Sequence, residues 1–227
     1  MIKVENVIKD YTVGQTKVHA LRGVSLSIEK GEFLSIAGPS GSGKTTLLNL
    51  IGCLDKATSG EIYIADEAVS GKNKKELALL RRQRLGFVFQ SINLIPVLNA
   101  YENVSFALSL LGINGNEIRE RTYGILKEVG LTGMETRLPG ELSGGQQQRV
   151  AVARALIKEP DVVLADEPTA NLDSDTGGEI LDLMAALNEK HGTTFVFSTH
   201  DRMVMDFAQR LVKLHDGEIT SDERRAS

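Results

Sequence analysis

The run Gly38-Pro39-Ser40-Gly41-Ser42-Gly43-Lys44-Thr45-Thr46 contains the phosphate-binding pattern G-x-x-x-x-G-K-(S/T) without a mismatch. Gly38, Gly41 and Gly43 allow backbone angles closed to other residues, so successive N–H groups can turn inward toward phosphate oxygens. Lys44 then supplies a point charge for the β- and γ-phosphates of a nucleoside triphosphate, and the Thr45 hydroxyl is a natural ligand for the accompanying Mg²⁺. An ordinary Gly/Ser turn would account for the glycines, but not for the lysine and hydroxyl in register.

Four further places carry groups suited to the same chemistry. Gln90 follows the apolar run Leu85-Gly86-Phe87-Val88-Phe89, and an amide there can ligate a metal or position a water. Leu142-Ser143-Gly144-Gly145-Gln146 opens a helix expected over 147–158, which makes a second anion site from a hydroxyl and helix-terminal amides. A Ser cap explains the helix start but leaves Gly144 and Gly145 together without a reason. Val162-Val163-Leu164-Ala165 ends in Asp166 and Glu167. Asp166 suits Mg²⁺, and Glu167 can orient or deprotonate an attacking water. His200 stands at the end of Thr194-Phe195-Val196-Phe197-Ser198, where an imidazole can hydrogen-bond a γ-phosphate or the water.

These groups need strands and helices to hold them. Phe33 to Ala37 before the loop reads as a buried strand and Leu47 to Ile51 after it as a helix, the context the motif requires. Alternation over Ile2–Val7 and Val24–Ile28, with a short apolar patch at Val18 to Leu21, predicts an antiparallel β region ahead of the loop. There Tyr11 either offers its face to a base or packs at the sheet's edge. Glu61–Ile64 reads as a strand and 73–84 as a charged helix whose basic residues line a solvated face. Residues 92–111 are unusually apolar and 116–129 read as a helix. Together they predict a helical subdomain whose apolar side chains form its core or a docking surface. A helix is expected over 174–190, capped by Asp173 or Ser174. Short strands follow at 210–214 and 217–219, with a frayed tail over 221–227.

Composition narrows the classes. A chain of 227 residues with 41% hydrophobic and 25% charged residues can bury a substantial core. A net charge of -4 gives no basic footprint for nucleic acid. The lone Cys53 cannot form an intramolecular disulfide and suits a buried apolar position. The amino terminus reads as no secretory signal, and no apolar stretch reaches the roughly 18 residues of a membrane span. Work at a membrane would require another chain to cross it.

In order and spacing, Gly38 to Thr45, Gln90, Leu142 to Gln146, Val162 to Glu167, Asn171-Leu172-Asp173 and His200 resemble the motif set of the ATP-binding cassette (ABC) ATPases. Leu-Ser-Gly-Gly-Gln is the specific part, since the loop alone would also admit kinases, GTPases and helicases. Ile51 to Asp55, Gly86 to Gln90 and Asn93 to Pro96 are similar to the lipoprotein-release and macrolide-efflux branch. The resemblance implies an α/β fold, a RecA-like core of mainly parallel sheet flanked by helices. It places that core and the antiparallel β region in 1–90 and 160–220, and a helical subdomain near 91–159. It implies Tyr11 stacking on adenine with Val18 beside it, and Gly38 to Thr46 on the phosphates of ATP. Thr45, Gln90 and Asp166 would attend Mg²⁺, Glu167 would be the catalytic carboxylate and His200 the γ-phosphate sensor. Ser143, Gly145 and Gln146 would complete the site of a second copy in a head-to-tail homodimer, with Asp173 at the interface. Membrane permease subunits would dock near Ser91 to Leu111, placing the protein peripherally on the cytoplasmic face of the membrane, with no nucleic-acid partner. Thr45-Thr46 replaces the commoner Ser-Thr pair and keeps the hydroxyl.

A soluble ABC-type ATPase acting on DNA or ribosomes is the competing expectation, but the long coiled-coil insertion or second cassette usual there is not seen. A kinase or GTPase would leave Leu142 to Gln146 unexplained. Asn73-Lys74-Lys75-Glu76 is similar to a guanine-reading motif, yet it precedes the Asp166 strand.

Overall fold

The computed structural model describes residues 1–14 and 16–225. In chain order its first elements are β1 (Ile2–Val13), β2 (Thr16–Ile28), β3 (Phe33–Ala37), α1 (Lys44–Ile51), β4 (Ser59–Ile64), β5 (Glu67–Ala68) and α2 (Lys74–Arg84). Then come β6 (Leu85–Phe89), α3 (Ala100–Ser109), α4 (Gly115–Glu128), α5 (Gly144–Leu156), β7 (Val162–Asp166) and α6 (Ser174–His191). The last are β8 (Thr194–Thr199), α7 (Arg202–Phe207), β9 (Arg210–His215) and β10 (Glu218–Arg224). The chain forms two compact units, one of Met1–Arg81 with Thr194–Ser227 and one of Arg82–Thr193.

The first unit holds an antiparallel sheet in the order β2-β1-β4-β5 and a mixed set of strands in the order β10-β9-β3-β8. All five residues of β3 and all six of β8 are buried, as expected of strands covered on both faces. Phe33, Phe195 and Phe197 pack there with ring centroids 4.6 to 6.1 Å apart. In β2 the buried positions Val24, Leu26 and Ile28 follow the pleat, and Leu21 is buried as well only because the register shifts at Gly23, which has φ 94°. β1 buries Ile2 and Val4, then Val7 and Lys9, because its register shifts around Asn6, which has φ 47°. β1 runs on to Val13 although polar residues interrupt the apolar pattern after Ile8. Its backbone continues to pair with β2 down to Val13 opposite Thr16.

The frayed tail expected from Ser221 is corrected. β10 pairs antiparallel with β9 as far as Arg224. Arg210 is the reason: its Nε and Nη2 donate to the two Asp222 carboxylate oxygens at 2.8 and 2.7 Å, and its Nη1 donates to Glu32 at 2.9 Å. A forked charge-assisted pair between neighbouring strands outweighs the polar composition of the segment. Ala226 and Ser227, also placed in that tail, lie outside the described residues.

The second unit joins β6 and β7 as a parallel pair to the helices α3 to α6. The apolar segment 92–111 divides between core and exposed surface. Ala100, Val104 and Leu108 are buried, while Val97, Phe106 and Leu110 are exposed, Val97 to 78%. Asn103 is buried and ties the preceding loop, accepting from the Ile95 amide and donating to the Ile95 and Leu98 carbonyls. The helix expected from Gln147 begins earlier, at Gly144, because Ser143 caps it directly. The short α7 had no apolar periodicity to announce it; Asp201 caps it by accepting from the Met203 amide at 2.9 Å. Cys53 is buried, and burial pushes its thiol up to about 11, so it packs as an apolar side chain.

Candidate functional site

The first unit carries the phosphate-type loop at the carboxyl end of β3. Gly38 is obligatory, since a Cβ there would lie 2.1 Å from the Leu214 carbonyl oxygen. Gly43 has φ 104°, and its Cβ would lie 2.5 Å from the Ala20 carbonyl. Lys44, the first residue of α1, is buried and turns back over the loop, donating from Nζ to the Gly38 and Pro39 carbonyls at 2.7 and 2.9 Å. An ammonium has three donors, so two hold its position and one remains for a ligand.

The opening of α1 differs from that of every other α-helix among the described residues. Its cap is Gly43, with no side-chain cap hydrogen bond. The others open on Asn73, Asn99, Asn114, Ser143, Asp173 and Asp201, each accepting from its own first turn. Ser42 Oγ is buried and finds no hydrogen-bond partner among the described residues. A helix start without an internal acceptor, an orphaned hydroxyl and a fixed ammonium fit a polyphosphate.

In the same unit β3 and β8 run parallel with Ala37 opposite Thr199, so Gly38 and His200 follow matched strand ends. His200 is exposed there. Tyr11 and Val18 face each other across β1 and β2, with Val18 47% exposed. The Tyr11 hydroxyl donates to Asp55 Oδ2 at 2.8 Å and also hydrogen-bonds the Thr46 side chain, while the Lys9 ammonium lies 4.7 Å from the ring centroid. Burial, then Asp55, raises the phenol above its ordinary value. Burial pushes the Asp55 carboxyl up, but hydrogen bonds from Lys9, Tyr11 and the Lys56 amide outweigh it and hold the group below the usual range. Lys9 was not singled out in the sequence, and Asp55 entered only as the end of the run Ile51 to Asp55, because 46 positions separate the pair and no motif joins them.

In the second unit the parallel register sets Phe89 opposite Asp166, so Gln90 and Glu167 follow matched strand ends. Asp166 and Glu167 are half-buried, and Glu167 has φ 47°. The Gln90 carbonyl accepts from Asn171 Nδ2 at 2.8 Å. No group of three or more His, Cys, Asp or Glu among the described residues could hold a metal ion by itself. Mg²⁺ takes oxygen ligands, commonly one or two carboxylates with phosphate and water, so the oxygen donors Thr45, Gln90 and Asp166 suit it in kind.

Ser143 and Gln146 form a reciprocal capping box: Ser143 Oγ accepts from the Gln146 amide at 3.3 Å, and Gln146 Oε1 accepts from the Ser143 amide at 2.9 Å. The reading that the glycine pair has no structural reason is corrected. A Cβ on Gly145 would lie 2.5 Å from Thr176 Cγ2, and one on Gly144 3.3 Å from Leu172 Cδ2. Thr176 is in turn fixed by Asp173, which accepts from its amide at 2.9 Å and its hydroxyl at 2.7 Å. Gln148 and Arg154 also bear on this unit's strand ends and were not foreseen, and the bond from Asn171 to the Gln90 carbonyl could not be read from the motif Asn171-Leu172-Asp173. The available signal was Gln148, a polar residue on the otherwise apolar buried stripe of α5.

An α/β fold with a lysine-bearing phosphate loop, an acidic strand end and a serine-capped glycine helix start defines a phosphate-loop nucleotide hydrolase of the cassette class. Comparison with known proteins makes the class specific. The sequence model of the ABC transporter family matches residues 21–170. The chain is 48% identical over 231 residues to the ABC transporter ATP-binding protein MJ0796 of Methanocaldococcus jannaschii, across 99% of this chain and 97% of that protein. It superposes on the dimeric post-hydrolysis structure of that cassette bound to ADP and Pi with a TM-score of 0.91 at 47% identity, covering 100% of both chains. It is also 46% identical over 222 residues to the macrolide export ATP-binding/permease protein MacB of Hyphomonas neptunium, across 98% of this chain and 34% of that protein. The chain belongs to the ABC transporter family and is an ATP-binding cassette with ATPase activity.

Proposed function

We propose that the chain works as a head-to-tail homodimer closing on ATP to drive separate membrane subunits of lipoprotein-release or macrolide-efflux type. The observation that carries the coupling is the exposed apolar set Val97, Phe106 and Leu110 in the segment after Gln90. An apolar surface of this kind suits a partner protein. The dimeric arrangement of the MJ0796 cassette supports the homodimer, and the MacB likeness supports the branch. Among the described residues no helix is long and apolar enough to cross a membrane, and in this reading the chain sits peripherally on its cytoplasmic face.

In this reading Tyr11 and Val18 meet the adenine, and Gly38 to Thr46 bind the phosphates. Thr45, Gln90 and Asp166 attend Mg²⁺, whose bound form neutralises charge on the phosphates during transfer. Glu167 orients the attacking water and His200 meets the γ-phosphate. Ser143, Gly145 and Gln146 serve the nucleotide of the second copy. Co-purification of the tagged chain from detergent-solubilised membranes tests the coupling. Recovery of integral membrane proteins in fixed ratio is expected; recovery of only ribosomes or nucleic acid would overturn it in favour of the soluble alternative.

A further inference from the structure

The turn after β7 is held from α5. Glu167 occupies the left-handed region, where a non-glycine residue needs support from its surroundings. Pro168 beside it has no N–H, and its carbonyl accepts from Gln148 Nε2 at 2.8 Å. Gln148 is 1% exposed, and its Oε1 has no hydrogen-bond partner among the described residues. An unsatisfied buried polar atom is destabilising, so packing alone would favour Leu or Met at this place. What the amide adds is the bond to Pro168.

Further along the same helix, Arg154 does the equivalent for the turn after β6. Its Nη2 donates to the Ile92 carbonyl at 3.0 Å and its Nη1 to the Asn93 carbonyl at 2.7 Å. Ile92 and Asn93 are again left-handed, with φ 57° and 52°. α5 lies close enough to β6 that a Cβ on Gly86 would come within 2.7 Å of the Ala155 carbonyl. Asn171, bonded to the Gln90 carbonyl, joins the two turns. The bonds close a ring: α5 to Pro168, the turn through Asn171 to Gln90, and Ile92–Asn93 back to α5.

We propose that Gln148 and Arg154 are positioning residues for ATP hydrolysis, holding from one helix the backbone beside Glu167 and beside Gln90. The proposal rests on the roles given above to Glu167 and Gln90. Because α5 begins at the Ser143 cap, a displacement of that helix start is delivered to both turns.

Steady-state ATPase measurements on the full chain test it, with Glu167→Gln as reference. Gln148→Met is expected to lower kcat by about 10- to 100-fold with little change in KM for ATP, as misplacement of a reacting group does. Added to Glu167→Gln, it should cause no further loss, since no carboxylate base is left to position. A protonated carboxyl at 148 can still donate to the Pro168 carbonyl and an ionised one cannot, so Gln148→Glu should regain kcat relative to wild type between about pH 8 and about pH 6. Arg154→Lys, which keeps a cationic donor but not the planar fork, should retain more kcat than Arg154→Met. Wild-type kcat in the Gln148 variants, or a loss that multiplies with that of Glu167→Gln, overturns the proposal while leaving the role of Glu167 intact. Unimpaired turnover in Glu167→Gln itself overturns that role, and the proposal with it.

Discussion

α1 and α5 both begin in glycine-rich turns, yet their first turns are built in opposite ways. At α1 the cap is Gly43, which supplies no side-chain acceptor, and the neighbouring Ser42 hydroxyl is buried without a partner. At α5 the cap is Ser143, already engaged with Gln146 in both directions, and its glycines are filled against Leu172 and Thr176. The first arrangement is incomplete without an anion; the second is complete as it stands. A helix start that satisfies itself can be rigid before any ligand arrives. In the reading proposed above its remaining donors meet an anion brought from outside, by the opposite subunit of a homodimer.

The largest expected effect tests the α1 side. Lys44→Ala removes both the ammonium and its two anchors on the Gly38 and Pro39 carbonyls. Turnover should fall by roughly 10²- to 10³-fold, as when an electrostatic donor to developing charge is lost, and ATP should bind more weakly. Turnover within a few-fold of wild type would mean that the incomplete helix start does not hold the reacting phosphates.

The middle effect tests the α5 side. Ser143→Ala removes a cap worth about 1 kcal/mol, which lowers Tm by about 2–4 °C in a chain of this size. If α5 also serves the nucleotide of a second copy, turnover should fall by about 10- to 100-fold while ATP binding to the isolated chain is unchanged. A shift in Tm with wild-type turnover would reduce Ser143 to a cap and dissolve the functional half of the comparison.

How much of this was legible in the sequence divides along the same line. The loop Gly38 to Thr46 and the strand ends at Gln90, Asp166 and His200 were readable because each is a local pattern: an apolar run followed by a polar group. Gly144 and Gly145 were misread because their reason, the approach of Leu172 and Thr176, lies about thirty positions away and leaves no local trace. The same holds for β10, whose polar residues resemble a tail until Arg210 is seen to pair with Asp222. Gln148 was readable in principle, as a polar interruption of an apolar helical stripe, but its partner at Pro168 was not.

The smallest effect distinguishes the two helix starts by pH. Residues 143–146 contain no titratable side chain. Near α1, by contrast, Asp55 anchors the Tyr11 hydroxyl, which also meets Thr46, and its carboxyl is held below the ordinary value by Lys9, Tyr11 and the Lys56 amide. A carboxyl whose folded value is depressed binds fewer protons folded than unfolded. Its contribution is present above the unfolded pKa and is lost as pH falls through the folded one. Asp55→Asn should therefore cost about 0.5–1 kcal/mol near pH 7, small because the side chain is partly exposed, and lower Tm by a few degrees. Thermal melts should show that difference narrowing once the pH drops below about 4, where the wild-type carboxyl loses its charge. Ser143→Ala, with nothing to titrate, should show a difference independent of pH over the same range. A gap for Asp55→Asn that stays constant into acid would show that the anchor works as a neutral hydrogen bond and that its charge contributes nothing.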